Sequence, residues 1–311
     1  MQDGAHKAAR KTGLAGRKSM PMPSPVTPAK TLLAGLLAVA TPACVSAGPT
    51  MSQDAAPVEL PASQAPTYAD LVTMATQSDT VAVVAVEDQI AFPPERAPNV
   101  EPGKVRLYIE ALTRSLLIAP QGVGSELVFV VDQRRDADGD APDLEERSFV
   151  IFGDLSRSQP GAIQLLSSDS MLPAGPQIEA RVRRVLTQLA AADAPPAITG
   201  VRDVISVPGN LAGESETQMF VETEDGTPVS LSVIRRPGMA PEWGVSLGEL
   251  VDSSARSPEP ESLLWFQFAC FLPRELPGDS FLQNDRASQR QAREDYAFIL
   301  AQLGPCERRF T

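Results

Sequence analysis

Histidine is almost missing from this chain. His6 is the whole supply, and it lies ahead of an apolar run that reads as an export signal. If that segment is removed, the working protein has no imidazole. Ser-His-Asp and Cys-His catalysis are then excluded, as is histidine-ligated zinc or haem. The absence decides one tempting motif, Gly244-Val245-Ser246-Leu247-Gly248. It matches the G-x-S-x-G elbow, but that elbow needs a histidine base and a strand-to-helix turn. A small-residue strand is expected here instead.

Lysine is scarce too. Lys104 is the only one after Ala47, and Gly103-Lys104 at a strand start reads as a solvated turn rather than a dyad or Schiff-base lysine. No P-loop is present, and Gly122-Val123-Gly124 lacks the third glycine of a dinucleotide fingerprint. There is no Asp-Thr-Gly or Asp-Ser-Gly segment. No catalytic residue and no cofactor are therefore expected. Carboxylates remain plentiful, and a glycosidase needs only two of them. A histidine-free, carboxylate-dependent hydrolase such as a glycosidase is the alternative.

Long apolar runs are lacking. The best, Thr31–Ala40, has ten residues, where a bilayer span needs about 20. It follows a basic segment ending at Lys30 and precedes Val45-Ser46-Ala47, as a signal-peptide core precedes a cleavage site. Cleavage after Ala47 and a periplasmic or secreted protein are expected, with no transmembrane helix in the mature chain. Cys44 offers a competing reading, a lipid anchor and with it a structural lipoprotein. The residues before it, Thr41-Pro42-Ala43, fit a lipobox only at Ala43.

Only three cysteines occur. With Cys44 removed or lipidated, Cys270 and Cys306 remain, and two cysteines in an oxidising compartment usually pair. The expected bridge staples the C-terminal helix to a strand carrying Cys270. No C-x-x-C spacing suggests a redox site.

What the chain has in quantity is negative charge. The whole sequence carries −12; its first 47 residues hold six bases and one acid, leaving 21 bases against 38 acids, net −17. Such a protein repels nucleic acid and anionic lipid at long range. A protein or glycan of the cell envelope is the partner expected instead. One acidic stretch could attract a cation: Asp136, Asp138 and Asp140 place oxygen ligands at alternate positions. Ala141 stands where an EF-hand has glycine, so an acidic hairpin loop with weak calcium binding at most is expected.

Hydrophobic patterning supplies the fold. Gly48–Pro66 is rich in Ala, Pro and Ser and reads as a tether. Thr67 and Asp70 form a capping box for a short helix. Thr80–Val86 reads as a strand buried on both faces. Val105–Ala111 alternates, with Val105, Leu107 and Ile109 on one face and Arg106, Tyr108 and Glu110 on the other. Leu127–Val131, Phe149–Phe152 and Ile163–Leu166 follow as strands. Ile178, Val182, Val185, Leu186 and Leu189 mark an amphipathic helix starting near Pro176. Beyond it come strands at Val201–Val207, Thr217–Thr223 and Val229–Ile234. Asp225-Gly226 signals a two-residue hairpin between the last two. Strands are also expected at Trp243–Val251 and Leu263–Leu272, then a helix over Ala287–Leu303.

Helix, five short strands, helix is the order of a small OB-type barrel. The segment Tyr68–Val86 (YADLVTMATQSDTVAVVAV) resembles the opening of bacterial netrin-like barrels. The tissue-inhibitor relatives of that fold insert an N-terminal cysteine into a target's zinc site. Gly48 stands at the expected mature terminus, so the resemblance implies a fold and no function.

The fold class is α+β, mostly β: a small OB-like barrel followed by a second antiparallel β unit with a C-terminal helix. The expected divisions are 1–47, signal peptide; 48–66, flexible linker; 67–175, β-rich OB-like domain; and 176–311, helix plus antiparallel β domain. The functional expectation is an exported envelope protein acting as a non-catalytic binding or scaffold module.

Overall fold

A computed structural model describes residues 64–248 and 255–310. The expected signal peptide, with Cys44 and Ala47, and most of the linker lie outside the described residues. All described residues fall in one compact unit.

Helix α1 (Tyr68–Gln77) opens with the capping box read from the sequence: Thr67 and Asp70 satisfy each other's backbone N–H groups. Strands β1 (Thr80–Ala91), β2 (Lys104–Ile118), β3 (Glu126–Arg134), β4 (Ser148–Leu155), β5 (Ile163–Leu165) and β6 (Met171–Pro173) form the first sheet. Its order is β3-β2-β1-β4-β5, and β6 continues along the edge of β4 that β5 leaves free. Pairing between β1 and β2 slips at three places, Val81/Ala82, Val83/Val84 and Val86/Asp88. Each irregularity adds bend and twist, and the sheet curls. Its two ends meet at one point, a parallel bridge between Val128 of β3 and Ala162 beside β5. The result is the expected OB-like barrel, joined at that point and open beyond it.

The apolar run at the start of β1 serves two cores. Ala82, Val84 and Val86 point into the barrel with Leu107, Ile109, Phe129 and Ile151. Val81 and Val83 point outward, under α1 and α2 (Pro176–Leu189), with Leu71, Val72, Val182 and Val185. These helices cover the outside of β1 and β4. Outside β2 and β3 the alternation shows a different surface, with Arg106, Tyr108, Val128 and Asp132 only half-buried and Glu110 and Val130 exposed.

The second sheet holds β7 (Ile198–Pro208), β8 (Ser215–Thr223), β9 (Val229–Arg235) and β10 (Glu242–Leu247), in the order β10-β9-β8-β7. Two expectations need correction here. The β8–β9 hairpin exists, but its turn is longer than two residues. Of Asp225 and Gly226 only the glycine has positive φ, at 77°. Asp225 instead turns its carboxylate onto the Thr227 N–H at 3.0 Å, and the strands separate at Val221↔Val229.

The larger correction is Leu263–Leu272. It is a helix, α3 (Leu263–Phe271), capped by Ser262. Leu263 and Phe266 pack with the helices over the barrel, while Phe268 and Leu272 pack on the second sheet. A helix held between two layers has no polar face to reveal its period, so its sequence reads like that of a central strand.

Helix α4 (Arg286–Leu303) lays Ala292, Tyr296, Ile299 and Leu303 on the second sheet. Cys270 and Cys306 are bridged, with Cα atoms 5.0 Å apart. Because Cys270 is on α3, the bridge ties the tail after α4 to a helix rather than to a strand. The Trp265 indole donates to the Leu303 carbonyl at 2.9 Å, satisfying one of the open carbonyls at the end of α4.

Candidate functional site

The uncovered face of β2 and β3 continues into a groove where the barrel stays open. The cause is local. Gly153 of β4 lies so close to β5 that an added Cβ would stand 2.3 Å from the Gln164 carbonyl oxygen. β5 then ends at Leu165, and a turn of 3₁₀ helix, Ser168–Ser170, leaves the sheet before β6 resumes on β4. That excursion bridges back to β3 through one contact, the Asp132 N–H to Ser168 Oγ at 3.3 Å. At the other end, Val128 N–H donates to the Gly161 carbonyl at 2.9 Å. Between the two contacts no further bridge joins β3 and β5 among the described residues. They leave a cavity of about 420 Å³.

Strand alternation fixes what faces it. Backbone N–H groups two residues apart point to the same edge. Val128 and Asp132 both donate toward β5, so Val130 between them turns its N–H and carbonyl into the cavity. The floor is apolar, from Phe129, Val131, Ile163 and Leu165. The rim is polar, from Gln159, Gln164, Ser167 and Ser168 on one side and Arg106 and Asp132 on the other.

Arg106 and Asp132 are cross-strand neighbours. Arg106 Nε and Nη2 reach the two carboxylate oxygens at 2.6 and 2.7 Å. This fork geometry is the strong form of the pair, and the hydrogen bond raises the guanidinium pKa further. Beside it runs an apolar row across three strands, Ile90, Tyr108 and Val130, joined by register. Ile90 is 56% exposed and Val130 44%.

The acidic loop lies on from β3. Asp136 folds its carboxylate onto its own backbone, where Oδ1 accepts the N–H groups of Asp138 at 3.0 Å and Asp140 at 2.8 Å. Arg135 donates to the Gly139 carbonyl at 2.9 Å. Among the described residues no three His, Cys, Asp or Glu side chains converge as metal ligands would.

The G-x-S-x-G segment lies on β10, paired antiparallel with β9, and Ser246 is buried opposite Ser230. Gly244 is there for space, since a Cβ would meet the backbone of Ala255 at 2.3 Å. Ser246 lies inside β10 and not at a strand-to-helix turn.

Two further cavities lie beside the β8–β9 turn and beside Trp243, of about 580 and 370 Å³. Among the described residues each of the three is lined by a single carboxylate: Asp132, Glu222 and Glu242.

The groove residues were partly legible. Alternation puts Arg106 and Tyr108 on the outward face of β2. Nothing in the sequence pairs Arg106 with Asp132 or brings Gln159, Gln164 and Ser168 opposite them, because register and closure are long-range. Comparison with known protein families and with curated proteins found no match. Among the described residues no helix is long and apolar enough to cross a membrane.

Proposed function

We propose that this is an exported envelope protein that acts as a non-catalytic binding or scaffold module, with the β3–β5 groove as its binding face. The observation that carries the reading is the groove itself. It is a preformed concavity with an apolar floor and a convergent polar rim, on a sheet face that the helices leave bare. That is the composition of ligand sites in general. At the level of fold analogy alone, OB-type barrels hold their ligands on this face of the second and third strands.

A binding role is favoured over hydrolysis by the single carboxylate that the described residues place in each of these cavities. Glycosidase chemistry works with two carboxyl groups about 5–9.5 Å apart, and Asp132 is already engaged by Arg106. The Cys270–Cys306 bridge supports an oxidising compartment.

The test is a photo-crosslinking amino acid at Gln164 in the intact envelope, with Glu294 on α4 as the control position, followed by mass spectrometry. Adducts at position 164 that are absent at 294 are expected. Equal labelling, or none, overturns the groove as the binding face. N-terminal sequencing of the envelope protein is expected to begin at Gly48, and a blocked, lipidated Cys44 would establish the anchor instead.

A further inference from the structure

We infer that the β3–β5 groove takes a neutral sugar unit of a glycan, an inference that rests on the groove being a binding face. Three observations narrow the ligand class.

The first is the shape of the open edge. A polypeptide adding a strand needs several successive backbone pairs along an edge. Here the edge is bridged at both ends, by Val128 to Gly161 and by Asp132 to Ser168. Between them Val130 is the one residue whose backbone turns to this edge, within a stretch of about 14 Å at strand rise. One N–H and one carbonyl cannot register an extended peptide. They can serve one compact ligand, and about 420 Å³ suits a small one.

The second is charge. The lining contains one arginine and one aspartate, and these neutralise each other through two short hydrogen bonds. A phosphate, carboxylate or ammonium group would find no unpaired counter-charge. The strongly acidic chain around the groove disfavours anions further.

The third is the set of hydrogen-bonding groups. The side-chain amides of Gln159 and Gln164 carry donor and acceptor together, as does the Ser167 or Ser168 hydroxyl, and Val130 adds one of each from the backbone. Neighbouring hydroxyls on a sugar ring also donate and accept together, so the two sets match. The apolar face of such a ring needs a flat apolar surface, and Tyr108 beside the exposed Val130 supplies it at the rim.

The experiment is a titration of the whole exported protein, isotopically labelled, with cellobiose, maltose and the disaccharide of N-acetylglucosamine. NMR shifts are expected to saturate at millimolar concentration for at least one of them. They should be confined to the Val130 amide and the side-chain amides of Gln159 and Gln164. Tyr108→Ala, at a half-buried position on the outer face, and Gln164→Ala, at an exposed one, are each expected to weaken binding about tenfold or more. Asp132→Asn frees Arg106 and is expected to introduce shifts with inorganic phosphate that the parent protein lacks. No saturable shift with any of the three sugars, or shifts away from the groove that Tyr108→Ala and Gln164→Ala leave unchanged, overturns the inference. The crosslinking result separates the two levels. If position 164 captures a protein in the envelope while the sugars produce no shift, the sugar inference fails and the binding face stands. If neither probe reports, both fail.

Discussion

The Asp70 carboxylate in the first turn of α1 accepts the backbone N–H of Arg309 at 3.0 Å, across 239 positions of chain. The same carboxylate accepts the N–H of Phe310 and of its own cap residue Thr67. The Thr67 hydroxyl stands 2.9 Å from that carboxylate and 2.8 Å from the Glu307 carbonyl, and its single hydrogen serves one of them at a time. Two chemically local events, the capping of a helix and the ending of the chain, therefore share one buried anion. Burial pushes the Asp70 carboxyl up. The backbone N–H groups of Thr67, Phe310 and Arg309 and the Thr67 hydroxyl outweigh it and hold the group below the ordinary carboxylate value.

A pH dependence follows from that sign. Because the folded-state pKa is depressed, the stabilisation is complete above the unfolded value of about 3.9 and is lost as pH falls through the folded one. Asp70→Ala is expected to cost about 2–3 kcal/mol at neutral pH, since it leaves several donors unpaired. The difference from the parent protein should shrink below pH of about 4. Urea unfolding at neutral and acid pH reads both. A cost that does not change with pH would show that the charge of Asp70 contributes nothing.

The disulfide sets a second expectation. It closes 36 positions, for which chain entropy gives about 3–4 kcal/mol. Replacing Cys270 and Cys306 with serine should lower stability by that order. Since the bridge joins α3 to the tail, hydrogen exchange should quicken first at residues 304–310 and in α3, with α4 still held by its own apolar stripe. If both thiols alkylate in the native protein without reductant, the bridge is absent.

A buried polar group pins α4 to the second sheet. Asp295, fully buried, takes the hydroxyl hydrogen of Thr217 and pairs with Arg235 at 2.6 Å. Gln291, one turn earlier, donates to it at 3.2 Å. Asp295→Ala leaves Arg235 without its partner in a site only partly open to water, and about 3 kcal/mol is expected. Thr217→Val should cost about 1 kcal/mol. A denaturation midpoint unmoved by Asp295→Ala would mean that α4 is held by packing alone.

For the acidic loop, calorimetry with calcium is expected to show weak binding at most, because the Asp136 carboxylate already accepts two N–H groups of its own loop. Micromolar affinity lost on Asp138→Ala would establish a calcium site.

Local chemistry was enough to read most elements. The Thr67–Asp70 capping box needs only a helix start. The alternation of β2 and the stripe of α2 are properties of a strand and a helix with one wet face. The pairing of Cys270 with Cys306 followed from there being no other partner once Cys44 is read as removed or lipidated. The sequence determined these because each depends on neighbours within a few residues or on a count.

Tertiary structure decided the rest, for one physical reason: it sets which faces are buried. α3 is apolar all round because layers press on both sides of it, so its period was erased from the sequence. The Asp225-Gly226 turn lengthened because the aspartate bonded its own backbone. The groove exists only because the β1–β2 irregularities curl the sheet until β3 meets β5 at Val128, and because Ser168 reaches Asp132 from a turn that leaves the sheet. Those contacts join residues more than thirty positions apart, and no local pattern records them.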